Sequence, residues 1–145
     1  MTIFLGADHR GFELKNQVKL FLLDNDFEVK DLGANEFVDN DDFVEYAINV
    51  GQNVSENIDS RGIVICGSGA GVEIAANKIK GIRCSLGQSV EQIEKARQAD
   101  DINVLSLSAD FTDLEKAQDF IEVFLQTEFI PNENHNRRVG KLNNL

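Results

Sequence analysis

Two rhythms of apolar and polar residues alternate along the chain. Ile3-Phe4-Leu5 is a short apolar run, and Ile63-Val64-Ile65-Cys66 is a longer one with no polar interruption. Such runs read as strands, the longer one as a central parallel strand covered on both faces. Phe27-Glu28-Val29-Lys30-Asp31-Leu32 alternates strictly, as a half-exposed strand does. Between the strands, apolar residues fall at helical spacing: Leu14, Val18, Phe21 and Leu22, then Phe43, Ala47, Val50 and Val54. The same reading predicts a helix from Ala70 to Lys78, a strand from Ile82 to Leu86 and a helix from Val90 to Ala99. A strand from Asn103 to Leu107 and a helix carrying Leu114, Ala117, Ile121 and Phe124 follow. Beyond the single proline, Pro131, the tail from Glu133 onward predicts a polar last helix with few apolar positions, suited to packing on a partner subunit.

Strands that alternate with helices in this way predict an α/β fold, a five-stranded parallel sheet with helices on both faces. The chain has 145 residues and no repeat, linker or low-complexity tract, so residues 1–145 form one domain. A domain of this size buries about 70% of its unfolded surface and needs no disulfide or metal to stand.

Charge and composition narrow the partners. The formal net charge is −11, which disfavours a nucleic-acid backbone and an anionic membrane surface. A small, locally positive site for a phosphorylated ligand remains compatible with it. The two cysteines, Cys66 and Cys84, have no metal-site spacing, and no cluster of His, Cys and carboxylates at ligand spacing appears, so neither metal nor cofactor is expected. Asp8, His9 and Arg10 interrupt the N-terminal apolar stretch, which rules against a signal peptide, and no run reaches the ~20 residues of a membrane span. The expected compartment is the cytoplasm, with both thiols reduced.

Ligands of an open parallel sheet bind beyond the carboxyl ends of its strands. Gly6-Ala7-Asp8-His9-Arg10-Gly11, Cys66-Gly67-Ser68-Gly69-Ala70-Gly71 and Gly87-Gln88-Ser89 fall there. In the second segment, glycines let the backbone approach a ligand, and successive N–H groups entering a helix form a cradle for a phosphate or an enolate-like oxyanion. The plain alternative is a tight strand-to-helix turn. Cys66, at the end of a buried strand and beside that cradle, is a candidate base or nucleophile; Cys84, within a strand, reads as a small buried hydrophobe. His9 lies in the ligand-binding rim, where it can donate to phosphate or move protons. His135, Arg137 and Arg138 form a basic cluster in the tail, which pattern alone also reads as a solvated face. A dinucleotide site is disfavoured, because its glycine turn should follow the first strand rather than the third.

These motifs together resemble the type B ribose-5-phosphate isomerases and the related galactose-6-phosphate isomerase subunits. The resemblance runs through residues 6–15, 62–71 and 75–83, then Asn103-Val104-Leu105 and His135-Asn136-Arg137-Arg138-Val139, in order and over nearly the whole chain. It implies a Rossmann-like three-layer domain with a C-terminal helix, a homodimer or homotetramer with the active site between subunits, and metal-free interconversion of aldose and ketose phosphates through a cis-enediolate. It implies that Cys66 is the base and that Ser68 assists. Backbone N–H groups of Gly67, Gly69, Ala70 and Gly71 would hold the enediolate oxygens. Asp8 and His9 would line the sugar-phosphate site, and Arg138 would bind phosphate.

The departures from the family pattern carry their own expectations. The family's His-Asn-Asp run, whose His opens the furanose ring, reads Ala99-Asp100-Asp101 here, so Asp100 stands where an amide would help hold the enediolate. The arginine that usually follows the next strand is Asp110, a second phosphate-binding arginine is Asn134, and the usual substrate-facing Tyr is Phe43. Proton transfer is therefore expected to be intact, with ring opening and phosphate binding altered. Ribose 5-phosphate is the leading substrate. Another sugar phosphate of the hexose 6-phosphate type, or a non-catalytic sugar-phosphate-binding subunit with an unlike partner chain, are the alternatives.

Overall fold

A computed structural model describes all 145 residues. In chain order the elements are β1 (Thr2–Ala7), α1 (Phe12–Asp24), β2 (Glu28–Asp31), α2 (Phe43–Glu56), β3 (Arg61–Cys66) and α3 (Ala70–Ala76). Then follow β4 (Cys84–Leu86), α4 (Val90–Asp100), β5 (Val104–Ser108), α5 (Leu114–Gln126) and α6 (Glu133–Asn143). The strands form one parallel sheet in the order β2-β1-β3-β5-β4. The uninterrupted apolar runs occupy its centre, β1, β3 and β5, where nearly every residue is buried. The strictly alternating β2 lies at an edge with a mixed exposure pattern.

Because strand side chains alternate between faces, each central strand feeds two cores. Ile3, Leu5, Ile63, Ile65, Leu105 and Leu107 pack with apolar residues of α1, α4 and α5. Phe4, Val64, Cys66 and Val104 pack with those of α2 and α3 on the other side. The expected three layers are therefore present. No helix is long and apolar enough to cross a membrane. The polar α6 has no buried residue; it lies along α4, and its Asn143 Oδ1 accepts from Arg83 Nη1 at 2.8 Å.

The structure shifts some predicted boundaries, and the cause is side-chain competition for backbone groups. Helix α3 stops at Ala76 rather than Lys78, and β4 starts at Cys84 rather than Ile82. Asn77 reaches across this interval: its Oδ1 accepts from Cys84 N at 2.8 Å and its Nδ2 donates to Cys84 O at 2.9 Å. Gly81 turns the chain there with φ +84°. Strand β5 ends one residue later than expected because Ser108, polar in sequence, is buried as a strand residue paired with Cys66.

Candidate active site

The chain leaves β1 toward α1 on one face and leaves β3 toward α3 on the opposite face. That reversal opens a crevice between the two loops, where ligands of open α/β sheets bind. Ala7 pairs with Ile65, so Asp8 and Cys66 are the next neighbours across the gap.

Cys66 ends β3 with its side chain in the α2–α3 core, 4% exposed, and its Sγ accepts from Gly69 N at 3.2 Å. Gly69 adopts φ +79°, a left-handed conformation that directs the chain into α3. The serines of β5 brace the same loop. Ser108 Oγ donates to Gly67 O at 2.7 Å and Ser106 Oγ donates to Gly69 O at 2.6 Å. Those two bonds fix the loop carbonyls of Gly67 and Gly69. Gly67 and Gly71 offer N–H groups with no acceptor inside the protein, whereas Gly69 N–H serves Cys66 and Ala70 N–H meets Ser68 Oγ at 3.3 Å. Ser68 is exposed at the loop tip. Phe43, the first residue of α2, covers the loop: a Cβ on Gly71 would sit 2.7 Å from Phe43 Cζ.

The β1 loop forms the opposite wall. Asp8 is buried, and its Oδ1 accepts from both Arg10 N and Gly11 N at 3.0 Å, which turns the chain into α1. His9 is held by Asp41: Oδ1 accepts from His9 N at 2.7 Å and lies 2.9 Å from His9 Nδ1. Tyr46 OH donates to the other oxygen of Asp41 at 3.0 Å. The Asp41 hydrogen bond raises the pKa of His9, with smaller help from the charge of Asp8. Burial would raise that of Asp41, but donors from His9 and Tyr46 outweigh it and bring it below the ordinary value. Burial and the Asp41 hydrogen bond both raise that of Tyr46. Cys84, by contrast, is buried at the start of β4, where desolvation and the nearby Glu73 charge push its thiol well up.

The fold brings Asp8, His9 and Asp41 together, with ligand-type atoms within 4.8 Å, although no such cluster is visible along the sequence. His9 Nδ1 and Asp41 Oδ1 face one another as a hydrogen-bonded pair, so the cluster is built as an oriented histidine.

Two predicted site residues lie elsewhere in the chain. Asp100 ends α4 and precedes β5, at the amino end of the sheet, while Cys66 and Ser108 mark the carboxyl end. The length of β5 alone separates those ends by about 13 Å. Arg138 is exposed on α6, which is tied through Asn143 to Arg83 at that same amino end. A cavity of about 610 Å³ also lies there and includes Asp100, Arg83, Leu142 and Leu145, with no residue of the Cys66 loop. Its one thiol, Cys84, has its pKa pushed up by burial, and no Gly-rich run of N–H donors lines it, so the candidate site remains the crevice at Cys66.

Sequence reading passed over Asp41, Tyr46, Ser106, Ser108 and the side chain of Arg10. The serines had a signal: in Leu105-Ser106-Leu107-Ser108 every second residue is polar inside a strand that the topology buries on both faces. Asp41 had none, since its partner is 32 residues away.

Comparison with known proteins converges on one family. The family described as Ribose/Galactose Isomerase matches residues 3–142. A probable ribose-5-phosphate isomerase B of Mycoplasma pneumoniae is 41% identical over 140 residues, which span 97% of this chain and 91% of the relative. Among solved structures, ribose-5-phosphate isomerase B of Mycoplasma genitalium, with bound ribulose-5-phosphate, superposes with a TM-score of 0.94 at 39% identity, covering 99% of this chain and 94% of that one. The Clostridium thermocellum ribose-5-phosphate isomerase B also gives 0.94, at 35% identity, covering 99% and 96%. With most of both chains aligned in sequence and in structure, this chain belongs to the ribose/galactose isomerase family.

Proposed function

We propose that the protein interconverts ribose 5-phosphate and ribulose 5-phosphate, with Cys66 carrying the proton between C2 and C1. The observation that supports this reading above the others is the Gly69 N–H aimed at Cys66 Sγ from 3.2 Å, on a glycine loop at the mouth of the crevice. From the open-chain aldose, the thiolate takes the proton on C2, and the C2–H electrons form the C1=C2 bond of a cis-enediolate as charge moves onto O1. The N–H groups of Gly67 and Gly71 stabilise that oxyanion where it develops. The thiol then returns its proton to C1, and a proton passes from O2 to O1, beside Ser68, to leave the ketose. His9, Asp8 and Phe43 line the sugar phosphate, with His9 donating to the phosphate.

The same reading makes the active unit a homodimer or a pair of homodimers. Asp100 lies toward the amino end of the sheet and Cys66 at the carboxyl end, and α6, which carries Arg138, has no buried face of its own. A second copy would supply them across an interface.

The test is exchange of the substrate C2 proton with deuterated water, followed with isomerisation across pentose and hexose phosphates in both directions. Wild type is expected to exchange and convert pentose 5-phosphates. Cys66→Ala is expected to lose both while remaining folded, and Cys84→Ala to keep both. Undiminished exchange in Cys66→Ala would remove the thiol from the mechanism. Conversion of hexose phosphates alone would reassign the substrate.

A further inference from the structure

Arg10 follows His9 on the β1 loop, and its side chain crosses the front of the catalytic loop. A Cβ on Gly67 would lie 2.7 Å from Arg10 Nε and 3.0 Å from its Cζ, so the guanidinium lies against the bare α-carbon of Gly67. Both ends of the side chain are fixed. At the root, Asp8 Oδ1 accepts from Arg10 N at 3.0 Å. At the tip, Nη2 donates to Asp110 Oδ2 at 2.6 Å. Asp110 is itself anchored on the same loop, its backbone N donating to Gly67 O at 3.0 Å. Most arginines with a side chain 55% exposed sweep through many rotamers; this one is held across the crevice by three points.

The Asp110 contact uses one of the five N–H donors of a guanidinium, which leaves most of a planar fork suited to paired oxygens of an anion. The charge is also placed where the chain otherwise lacks one. The net charge is −11, and the arginines of α6 lie toward the other end of the sheet. His9, next in sequence, is oriented by Asp41 and adds a second donor on the same loop.

From this geometry we propose that Arg10 binds the phosphate of the substrate in the same chain that supplies Cys66, with Asp110 as the residue that orients it. The proposal deepens the isomerase reading and rests on it for the identity of the phosphate ester. Arg10 acts on the bound ground state and the transition state alike, so it sets affinity rather than the proton-transfer rate.

The experiment measures KM and kcat for ribose 5-phosphate, and competitive inhibition by inorganic phosphate, in wild type, Arg10→Ala and Arg10→Lys. Loss of a charge-assisted hydrogen bond is expected to raise both KM and the inhibition constant about 10- to 100-fold in Arg10→Ala, with kcat changed less than about threefold. Arg10→Lys, which keeps the charge and loses the fork, is expected to fall between. Unchanged values in Arg10→Ala, a fall confined to kcat, or a rise in KM without a matching rise for inorganic phosphate would each overturn the assignment. Should wild type convert no sugar phosphate, the isomerase reading fails by itself. Equilibrium binding of inorganic phosphate to wild type and Arg10→Ala then still decides the role of Arg10, by the presence or absence of the same weakening.

Discussion

His9 is presented with Nδ1 already facing Asp41, so Nε2 is the nitrogen left for a ligand. Its pKa lies above the ordinary 6.5, chiefly through that hydrogen bond, so the imidazolium persists to higher pH than in a free histidine and is lost as pH climbs through the raised value. Whatever the charged ring contributes to stability is complete below 6.5 and disappears across that window. Asp41 behaves oppositely: its lowered pKa gives a contribution present above its ordinary 3.8 and lost as pH falls through the lowered value. Asp41→Asn is therefore expected to move the His9 titration downward, and the alkaline rise in KM for a sugar phosphate should start at lower pH. Proton NMR reads this directly, since His135 is the only other histidine. A titration unmoved by Asp41→Asn would separate the pair from ligand binding. Ala99 poses a different question, because no proton-transfer group stands where the family resemblance places the ring-opening histidine. A positioned general acid–base is worth about 10²–10⁴-fold. Initial rates from the cyclic aldose should thus be limited by its supply of open-chain form, and Ala99→His should raise them while leaving rates from the open-chain ketose nearly unchanged. A wild type as fast as this variant from the aldose side would mean that another group opens the ring.

Among the elements, helix α1 and strand β2 are joined by a charge that helical periodicity hides. Leu14, Val18 and Leu22 mark the apolar face of α1, but Lys15 is as buried as they are, at 0% exposure. Its Nζ donates to both oxygens of Asp31, at 2.9 and 3.0 Å, and to Ala34 O in the loop that leads toward Asp41. Burial would raise the pKa of Asp31, yet the Lys15, Gly33 and Lys19 donors bring it below the ordinary value. Removing one partner of a buried pair strands the other, at a cost of about 3–5 kcal/mol. Lys15→Met is expected near the lower end of that range by urea unfolding, because half-exposed Lys19 also reaches Asp31 at 3.3 Å. The wild-type contribution should be present above the ordinary carboxylate pKa and fade as pH falls through the lowered one. Equal stability of Lys15→Met and wild type at neutral pH would refute the pairing. This element also marks how far sequence reading reached. The strands, the helices and the Cys66 loop were legible because period and glycine spacing are local signals. Lys15 and Asp41 were not, because a buried charge looks like a solvated one until its partner is placed beside it, and those partners come from other elements or distant turns.

At the scale of the molecule, one chain divides the expected site between the two ends of its sheet. The carboxyl end holds Cys66, its loop N–H groups, His9 and Arg10. The amino end holds Asp100 and the exposed α6 with Arg138. At that end Asp101 is clamped by Arg83 at 3.0 Å and Arg97 at 2.7 Å, while Asp100 beside it stays exposed. A symmetric dimer resolves the division if each subunit offers its amino-end groups to the crevice of the other, since an isologous interface repeats every such contact twice. Each active site would then need one intact copy of Cys66 from one chain and one intact Arg138 from its partner. This makes a sharp expectation for mixed subunits. Cys66→Ala alone and Arg138→Ala alone should each be close to inactive at low substrate. Unfolded together and refolded at equal amounts, half the dimers combine the two variants, and each of these contains one doubly wild-type site. The mixture should recover about a quarter of wild-type activity. If Cys66 and Arg138 instead served the same site from one chain, no site in the mixed dimer would be complete and no activity would return. If the protein were a monomer, mixing would also recover nothing, and sedimentation at a mass near 16.1 kDa would identify that case. Recovery on mixing therefore requires both the assembly and the sharing of its site between subunits.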